Sequence, residues 1–138
     1  MLTYKNIIKE DDDRLRQKSE PVLLPLSSED IELLNKMNEY LVNGYDDEFV
    51  EKNDIRPGVG LSAVQIGVLK KVFVILAFDE NSHLHHYGVI NPKIISHSEE
   101  TVYLPGGEGC LSVDRDIDGL VHRPKRIKAK VYLYDFKT

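Results

Sequence analysis

The stretch from Lys71 to Phe78, KVFVILAF, decides the fold. It is a continuous apolar run that is rich in β-branched and aromatic residues. A short run of this composition between turn signals is typical of a strand buried on both faces. We therefore interpret the segments on either side of this run as elements that pack against a sheet.

Upstream of this run, the sequence predicts an amphipathic helix from Glu29 to Asn43. Its apolar residues recur mostly at spacings of three and four, which places them on one helix face. A hydroxyl of Ser27 or Ser28 can cap its first turn, and Asn43-Gly44 suits its end. Residues 1–16 are expected to form an irregular arm. The acidic segment 45–56 is expected to be a short helix or a loop.

Downstream, the sequence predicts further strands. YGVINPKIISHSEE predicts a strand broken at Asn91-Pro92, because proline cannot donate to a sheet. A loop follows at Pro105-Gly106-Gly107. The segment from Arg126 to Phe136 alternates, with Ile127, Ala129, Val131 and Leu133 on one side, and predicts a last strand. The expected fold is α+β with a mostly antiparallel sheet, in one domain over residues 1–138.

Composition excludes several classes of protein. The net charge of −5 argues against a general binder of nucleic acid. The basic residues between Arg123 and Lys130 nearly alternate, as on the solvated face of a strand. No apolar stretch approaches the length of a membrane span, and no secretory signal is visible at the start. With a single cysteine, Cys110, no internal disulfide is available, which favours a cytoplasmic location.

The first segment that suggests chemistry is GVGLSAVQ, from Gly58 to Gln65. Its glycines permit close approach of a ligand to the backbone, and the Gln65 amide can donate to an oxygen. The segment matches neither the dinucleotide fingerprint nor the phosphate-binding loop. By itself it is also compatible with a plain connection between a helix and a strand.

The second segment is EGCLS, from Glu108 to Ser112. A thiolate at Cys110 can bind a soft or borderline metal ion. The alternative is that Cys110 is a small buried apolar residue, as most free cysteines are.

Together, GVGLSAVQ and EGCLS resemble the peptide deformylase family in their residues, order and spacing. The resemblance extends over essentially the whole chain, and the insertion at residues 44–56 resembles the longer form of Gram-positive bacteria. It implies metal-dependent hydrolysis of the N-formyl group from formylmethionine of nascent proteins. It also implies a metal ion, Fe²⁺ or in its place Zn²⁺, Ni²⁺ or Co²⁺.

The resemblance implies a role for individual residues. Cys110 matches the cysteine ligand of the metal, and Gln65 and the backbone N–H of Leu111 match the donors to the developing oxyanion. Backbone groups of three residues match those that hold the peptide extended, and two further residues match a supporting ion pair. The peptide-binding residues are Val59, Gly60 and Gly109; the ion pair is Glu108 with Arg123, for which a solvated surface pair is the alternative.

One part of the family pattern does not occur in the sequence. The family's third motif, His-Glu-x-x-His on a C-terminal helix, supplies two metal ligands and the general base. The five histidines fit no such pattern. We therefore expect an incomplete domain that lacks this helix, and a chain that alone holds metal weakly and does not deformylate. The cluster His83, His85 and His86 is expected to be adventitious rather than a native metal site.

The implied partners are formylmethionyl peptides and the exit region of the ribosome, with no membrane and no direct nucleic-acid site. A partner chain or a dimer is expected to cover apolar surface that the missing helix would otherwise bury. Two alternatives remain. One is a non-catalytic relative that binds peptide N-termini or the ribosome. The other is a cysteine hydrolase with Cys110 as nucleophile and His122 as base.

Overall fold

The structure, a computed structural model, describes residues 1–136. Short 3-10 turns at Tyr4–Asn6 and Asp13–Arg16 interrupt the arm, and a third lies at Ala63–Ile66. The helices are α1 (Ser28–Asn43) and α2 (Asp47–Lys52). The strands are β1 (Gly60–Ser62), β2 (Val72–Phe78), β3 (Leu84–His97), β4 (Thr101–Val102), β5 (Arg123–Pro124) and β6 (Ile127–Asp135).

Helix α1 forms the core together with the sheet, as its spacing predicted. The Ser27 hydroxyl accepts the N–H of Asp30 at 3.1 Å and so caps the first turn. Leu34, Met37 and Tyr40 are buried on the inner face, which packs against β2. The acidic segment after α1 forms the short helix α2, which Asp46 caps.

The main sheet has the order β1-β2-β3-β6, and every neighbouring pair is antiparallel. Strand β2 lies inside it, but the expectation that both its faces are buried is wrong. Val72, Val74 and Leu76 are buried on the side of α1, whereas the alternating residues are only partly covered. Because both faces of β2 carry apolar residues, its sequence did not indicate which face packs against the core.

The expected break at Asn91-Pro92 is also wrong, because β3 runs through it to His97. The pairing with β6 shifts between Ile90 and Lys93, so the two residues lie in a bulge, where proline is tolerated. Asn91 holds the bulge in place: its side chain accepts from the N–H of Val22 at 2.7 Å and donates to the Val22 carbonyl at 2.9 Å.

Strand β6 forms one edge of the main sheet, and β4 pairs with β5 in a separate two-stranded ribbon. The expected α+β class with a mostly antiparallel sheet is confirmed. Within residues 1–136, no helix is both long and apolar enough to cross a bilayer. At the other edge lies β1, which belongs to the first of the two motifs.

Candidate active site

The first motif begins as an edge strand and ends in a tight turn. The interpretation as a helix-to-strand connection is wrong: Gly60–Ser62 pair with β2, and Ala63–Ile66 form a 3-10 turn. The glycine at 58 has a packing reason, since a Cβ there would lie 3.2 Å from the Leu111 side chain. The close approach that a glycine allows thus brings the two motifs together.

The Gln65 carboxamide is held at both ends. Its Oε1 accepts the N–H of Ser62 at 2.9 Å. Its Nε2 donates to the Ser112 hydroxyl at 3.2 Å and lies 3.8 Å from the sulfur of Cys110. The structure therefore places the Gln65 amide group beside the only thiol in the sequence, although 45 residues separate them along the chain.

The second motif forms a turn that presents its cysteine to solvent. Val113 donates its N–H to the Cys110 carbonyl at 3.0 Å, which closes the turn. Leu111 and Ser112 are buried, whereas Cys110 is exposed. The alternative that Cys110 is a small buried residue is therefore wrong. Leu111 and Ser112, rather than Cys110, are buried and anchor the loop.

The N-terminal arm binds both motifs, which the sequence gave no means to predict. The N–H of Ile8 donates to the Gln65 carbonyl at 2.8 Å, and the N–H of Glu10 donates to the Ser112 carbonyl at 2.8 Å. Because these bonds use only backbone groups, no side-chain pattern encodes them. The arm thus fixes the distance between the two motif segments.

Arg56 is a further residue that sequence reasoning missed. Its Nη1 donates to the Val113 carbonyl at 2.8 Å and lies 3.3 Å from the Tyr4 hydroxyl. The guanidinium also lines the cleft beside Gly109. The only local signal is its position just before Pro57-Gly58, and that says nothing of these distant partners.

Glu108 and Arg123 form an ion pair at the edge of the cysteine loop. Nη2 of Arg123 lies 2.6 Å from Oε1 of Glu108, and Nε lies 2.8 Å from Oε2. These hydrogen bonds hold the pKa of the Glu108 carboxyl below its ordinary value. The arginine side chain is largely exposed, so the pair is a bidentate surface clamp that joins β5 to the loop.

An open cleft of about 620 Å³ lies over the cysteine loop. Its lining includes Arg56, Glu108 and Cys110, and the segment from Arg115 to Val121. Both acidic and basic groups face the cleft, so a neutral peptide backbone suits it better than a strongly charged ligand does.

The three histidines of the HLHH segment do not all converge on one point. His83 and His85 both contact the Asp79 carboxylate, at 3.7 and 3.0 Å, whereas His86 lies against Asn38 of α1 and stacks on Phe136. His122 packs edge-on against Tyr103, with ring centres 5.1 Å apart. Among residues 1–136, no group of three or more His, Cys, Asp or Glu side chains is arranged to hold a metal ion. Cys110 is the site's candidate ligand.

Comparison with known proteins places this site in a family. The family model described as polypeptide deformylase matches residues 4–138. The chain is 51% identical over 127 residues to a peptide deformylase of Shouchella clausii, covering 92% of this chain and 69% of that protein. It is 50% identical over 130 residues to peptide deformylase 2 of Bacillus cereus, covering 94% of this chain and 71% of that protein.

Solved structures agree with the sequence comparison. A peptide deformylase from Ehrlichia chaffeensis in complex with actinonin has a TM-score of 0.70 at 31% identity, covering 93% of this chain and 67% of that one. The enzyme from Thermotoga maritima has a TM-score of 0.68 at 28% identity, covering 97% and 81%. The fold and site define a deformylase-like α+β domain. The chain belongs to the peptide deformylase family, whose members are metal-dependent hydrolases.

Proposed function

We propose that the protein acts in removing the N-formyl group from formylmethionine at the start of nascent proteins in the cytoplasm. The observation that carries this proposal is the convergence of the Gln65 amide and the Cys110 thiol, with Nε2 and Sγ 3.8 Å apart. Hydrolysis of a formyl amide develops negative charge on the formyl oxygen, which positioned N–H donors stabilise. The Gln65 amide and the backbone N–H of Leu111 are the proposed donors.

The proposed peptide site uses the open edge of β1. Since β1 pairs only with β2 within the described chain, its outer edge is available for an added strand. The Leu76 N–H donates to the Val59 carbonyl at 2.8 Å, so the polar groups of Val59 face β2. Those of the next residue, Gly60, face outward. Gly60 is therefore better placed than Val59 to bond an extended peptide, and Gly109, which lines the cleft, is the proposed contact on the cysteine loop.

The residues of the described chain do not form a complete metal site. Catalytic zinc-type sites use three protein ligands and one open position, whereas here Cys110 is the single candidate. A divalent metal ion in this family would supply an activated water. We propose that Cys110 is one ligand of an Fe²⁺ ion, or of Zn²⁺, Ni²⁺ or Co²⁺ in its place.

From this donor set we propose that a polypeptide of residues 1–138 alone is an incomplete deformylase domain. We expect it to bind metal weakly and not to hydrolyse formyl-Met peptides, because neither a His-Glu-x-x-His pair of ligands nor its base occurs in the sequence. By the same reasoning, the proposed activity requires a protein that contains the GVGLSAVQ and EGCLS motifs together with the His-Glu-x-x-His ligands.

The first test measures metal content and deformylation of a formyl-Met peptide by the 138-residue protein, purified anaerobically. We expect substoichiometric metal after desalting and no turnover, and the same result for Cys110→Ala. Adding the His-Glu-x-x-His helix of a relative should restore metal binding and turnover, and both should then depend on Cys110. Stoichiometric metal and turnover in the original chain would contradict the proposed incompleteness. Peptide binding without turnover after that addition would favour a non-catalytic role.

A further inference from the structure

Ser112 is a buried polar residue for which the proposed mechanism has no use. Only 4% of it is exposed, against 8% of Asp30, the other buried residue of the described chain with a polar or charged side chain apart from tyrosine. A buried hydroxyl group costs free energy unless hydrogen bonds satisfy it. The Ser112 hydroxyl accepts a hydrogen bond from Nε2 of Gln65 at 3.2 Å.

The surroundings of Gln65 determine which way its carboxamide faces. The Ser62 N–H can only donate, so the group it contacts at 2.9 Å must be the amide oxygen. The NH₂ group then faces the cysteine loop and carries two hydrogens. One is directed to the Ser112 hydroxyl, and the other is on the side of Cys110, whose sulfur lies 3.8 Å from Nε2.

The backbone of Ser112 is fixed independently of its side chain. Its carbonyl accepts the N–H of Glu10 at 2.8 Å, and the neighbouring Leu111 side chain packs under Gly58. The hydroxyl is therefore a rigid acceptor rather than one that follows Gln65. A rigid acceptor lowers the freedom of the last side-chain torsion of glutamine, which is otherwise broad.

We propose that Ser112 is a positioning residue: its hydroxyl holds one N–H of Gln65 so that the second N–H is directed to the formyl oxygen of the substrate beside Cys110. This inference rests on the proposed function for its substrate. The contact between Ser112 and Gln65 does not depend on that function, so the two can be tested separately.

The contact is tested in the free protein by NMR of the Gln65 side-chain amide, assigned by its loss in Gln65→Ala. In Ser112→Ala we expect the chemical shifts of both amide protons to change. Their exchange with water should become at least several-fold faster, as expected from the loss of one hydrogen bond. The control is Ser27→Ala, which removes a hydroxyl acceptor at the cap of α1 and should leave these signals unchanged. A folded Ser112→Ala protein with unchanged Gln65 signals would overturn the proposal.

The wild-type protein gives a second reading in case Ser112→Ala does not fold. One Gln65 side-chain proton should show the small temperature coefficient of a hydrogen-bonded amide, and the other a large one. Two equally large coefficients would also overturn the proposal.

The substrate half of the proposal is tested by titration with a formyl-Met peptide and its unformylated counterpart. The formylated peptide should shift the second Gln65 proton, and in Ser112→Ala the peptide should bind about three- to tenfold more weakly. If the free-protein spectra confirm the contact but the formylated peptide shifts neither proton, the assignment of the formyl oxygen is wrong. In that case the contact between the two side chains remains, and the proposed function is decided separately, by the turnover of the chain that carries the added His-Glu-x-x-His helix.

Discussion

The Tyr40 hydroxyl joins the core helix to the backbone of Arg56, two residues before the first motif. It donates to the Arg56 carbonyl at 2.9 Å and accepts the Arg56 N–H at 3.2 Å, from a side chain that is fully buried on α1. Burial raises the pKa of this phenol, which keeps the proton that it donates. The guanidinium of Arg56 in turn holds the Val113 carbonyl of the cysteine loop. The Tyr40 phenol thus holds the backbone of Arg56, whose side chain contacts the cysteine loop.

Removing that hydroxyl should destabilise the protein measurably. In Tyr40→Phe, both the N–H and the carbonyl of Arg56 lose their partner in a buried place, so the free energy of unfolding should fall by about 1–3 kcal/mol. Tyr45→Phe is the matched control, because Tyr45 donates to the Leu76 carbonyl at 2.9 Å from a side chain that is 51% exposed. Denaturant unfolding of both variants measures the difference. Equal losses would show that burial does not distinguish the two hydroxyls.

At the scale of elements, the N-terminal arm holds the two motifs beside each other through backbone hydrogen bonds. Ile8→Pro removes the N–H that donates to the Gln65 carbonyl. The preceding residue, Ile7, is extended, with φ −79° and ψ 119°, and so tolerates a following proline. We expect a loss of about 1–3 kcal/mol in the free energy of unfolding, since the Gln65 carbonyl is left unpaired.

Lys18→Pro is the control for the Ile8 variant. The residue before it, Gln17, is also extended, with φ −79° and ψ 152°, and no hydrogen bond of the Lys18 N–H is found within the described chain. Its effect should stay within about 0.5 kcal/mol, as for most surface substitutions. Thermal unfolding compares the two, and a similar loss in both would mean that proline strain, rather than the lost bond, is responsible.

The same elements show how far the sequence alone can reach. Helix α1 and strand β6 were predictable because each follows its own period, with apolar spacings of three and four in α1 and of two in β6. The course of β3 through Pro92 was not, because tolerance of a proline there depends on a bulge that only the pairing with β6 reveals. The motifs themselves were visible in the sequence.

What holds the motifs together was not visible. The Ser112 hydroxyl meets the Gln65 amide across 47 residues of chain, and Arg56 reaches Val113 across 57. Such contacts follow from the tertiary fold, and no local spacing encodes them. Sequence reasoning could therefore name candidate groups such as Gln65 and Cys110, whereas the residues that orient them required the structure.

At the scale of the whole molecule, the sheet carries an uncovered apolar face on its β6 side. Ile127, Ala129, Val131 and Leu133 alternate along a regular strand, so they share one face. Ile94 of β3 pairs with Ala129 and extends it. Ile127 and Leu133 are 57% and 59% exposed. A contiguous apolar surface of this kind favours association and dye binding.

We therefore expect the protein to bind a hydrophobic dye and to self-associate as its concentration rises, and Leu133→Lys to weaken both. The substitution should change the unfolding midpoint little, because the side chain buries little area. Tyr132→Lys is the matched control: Tyr132 is 51% exposed on the opposite face of the same strand, so this variant adds the same charge without touching the apolar face. Dye fluorescence and sedimentation at several concentrations separate the two variants. If Tyr132→Lys reduces dye binding and association as much as Leu133→Lys does, net charge is the cause, and the apolar face does not drive association.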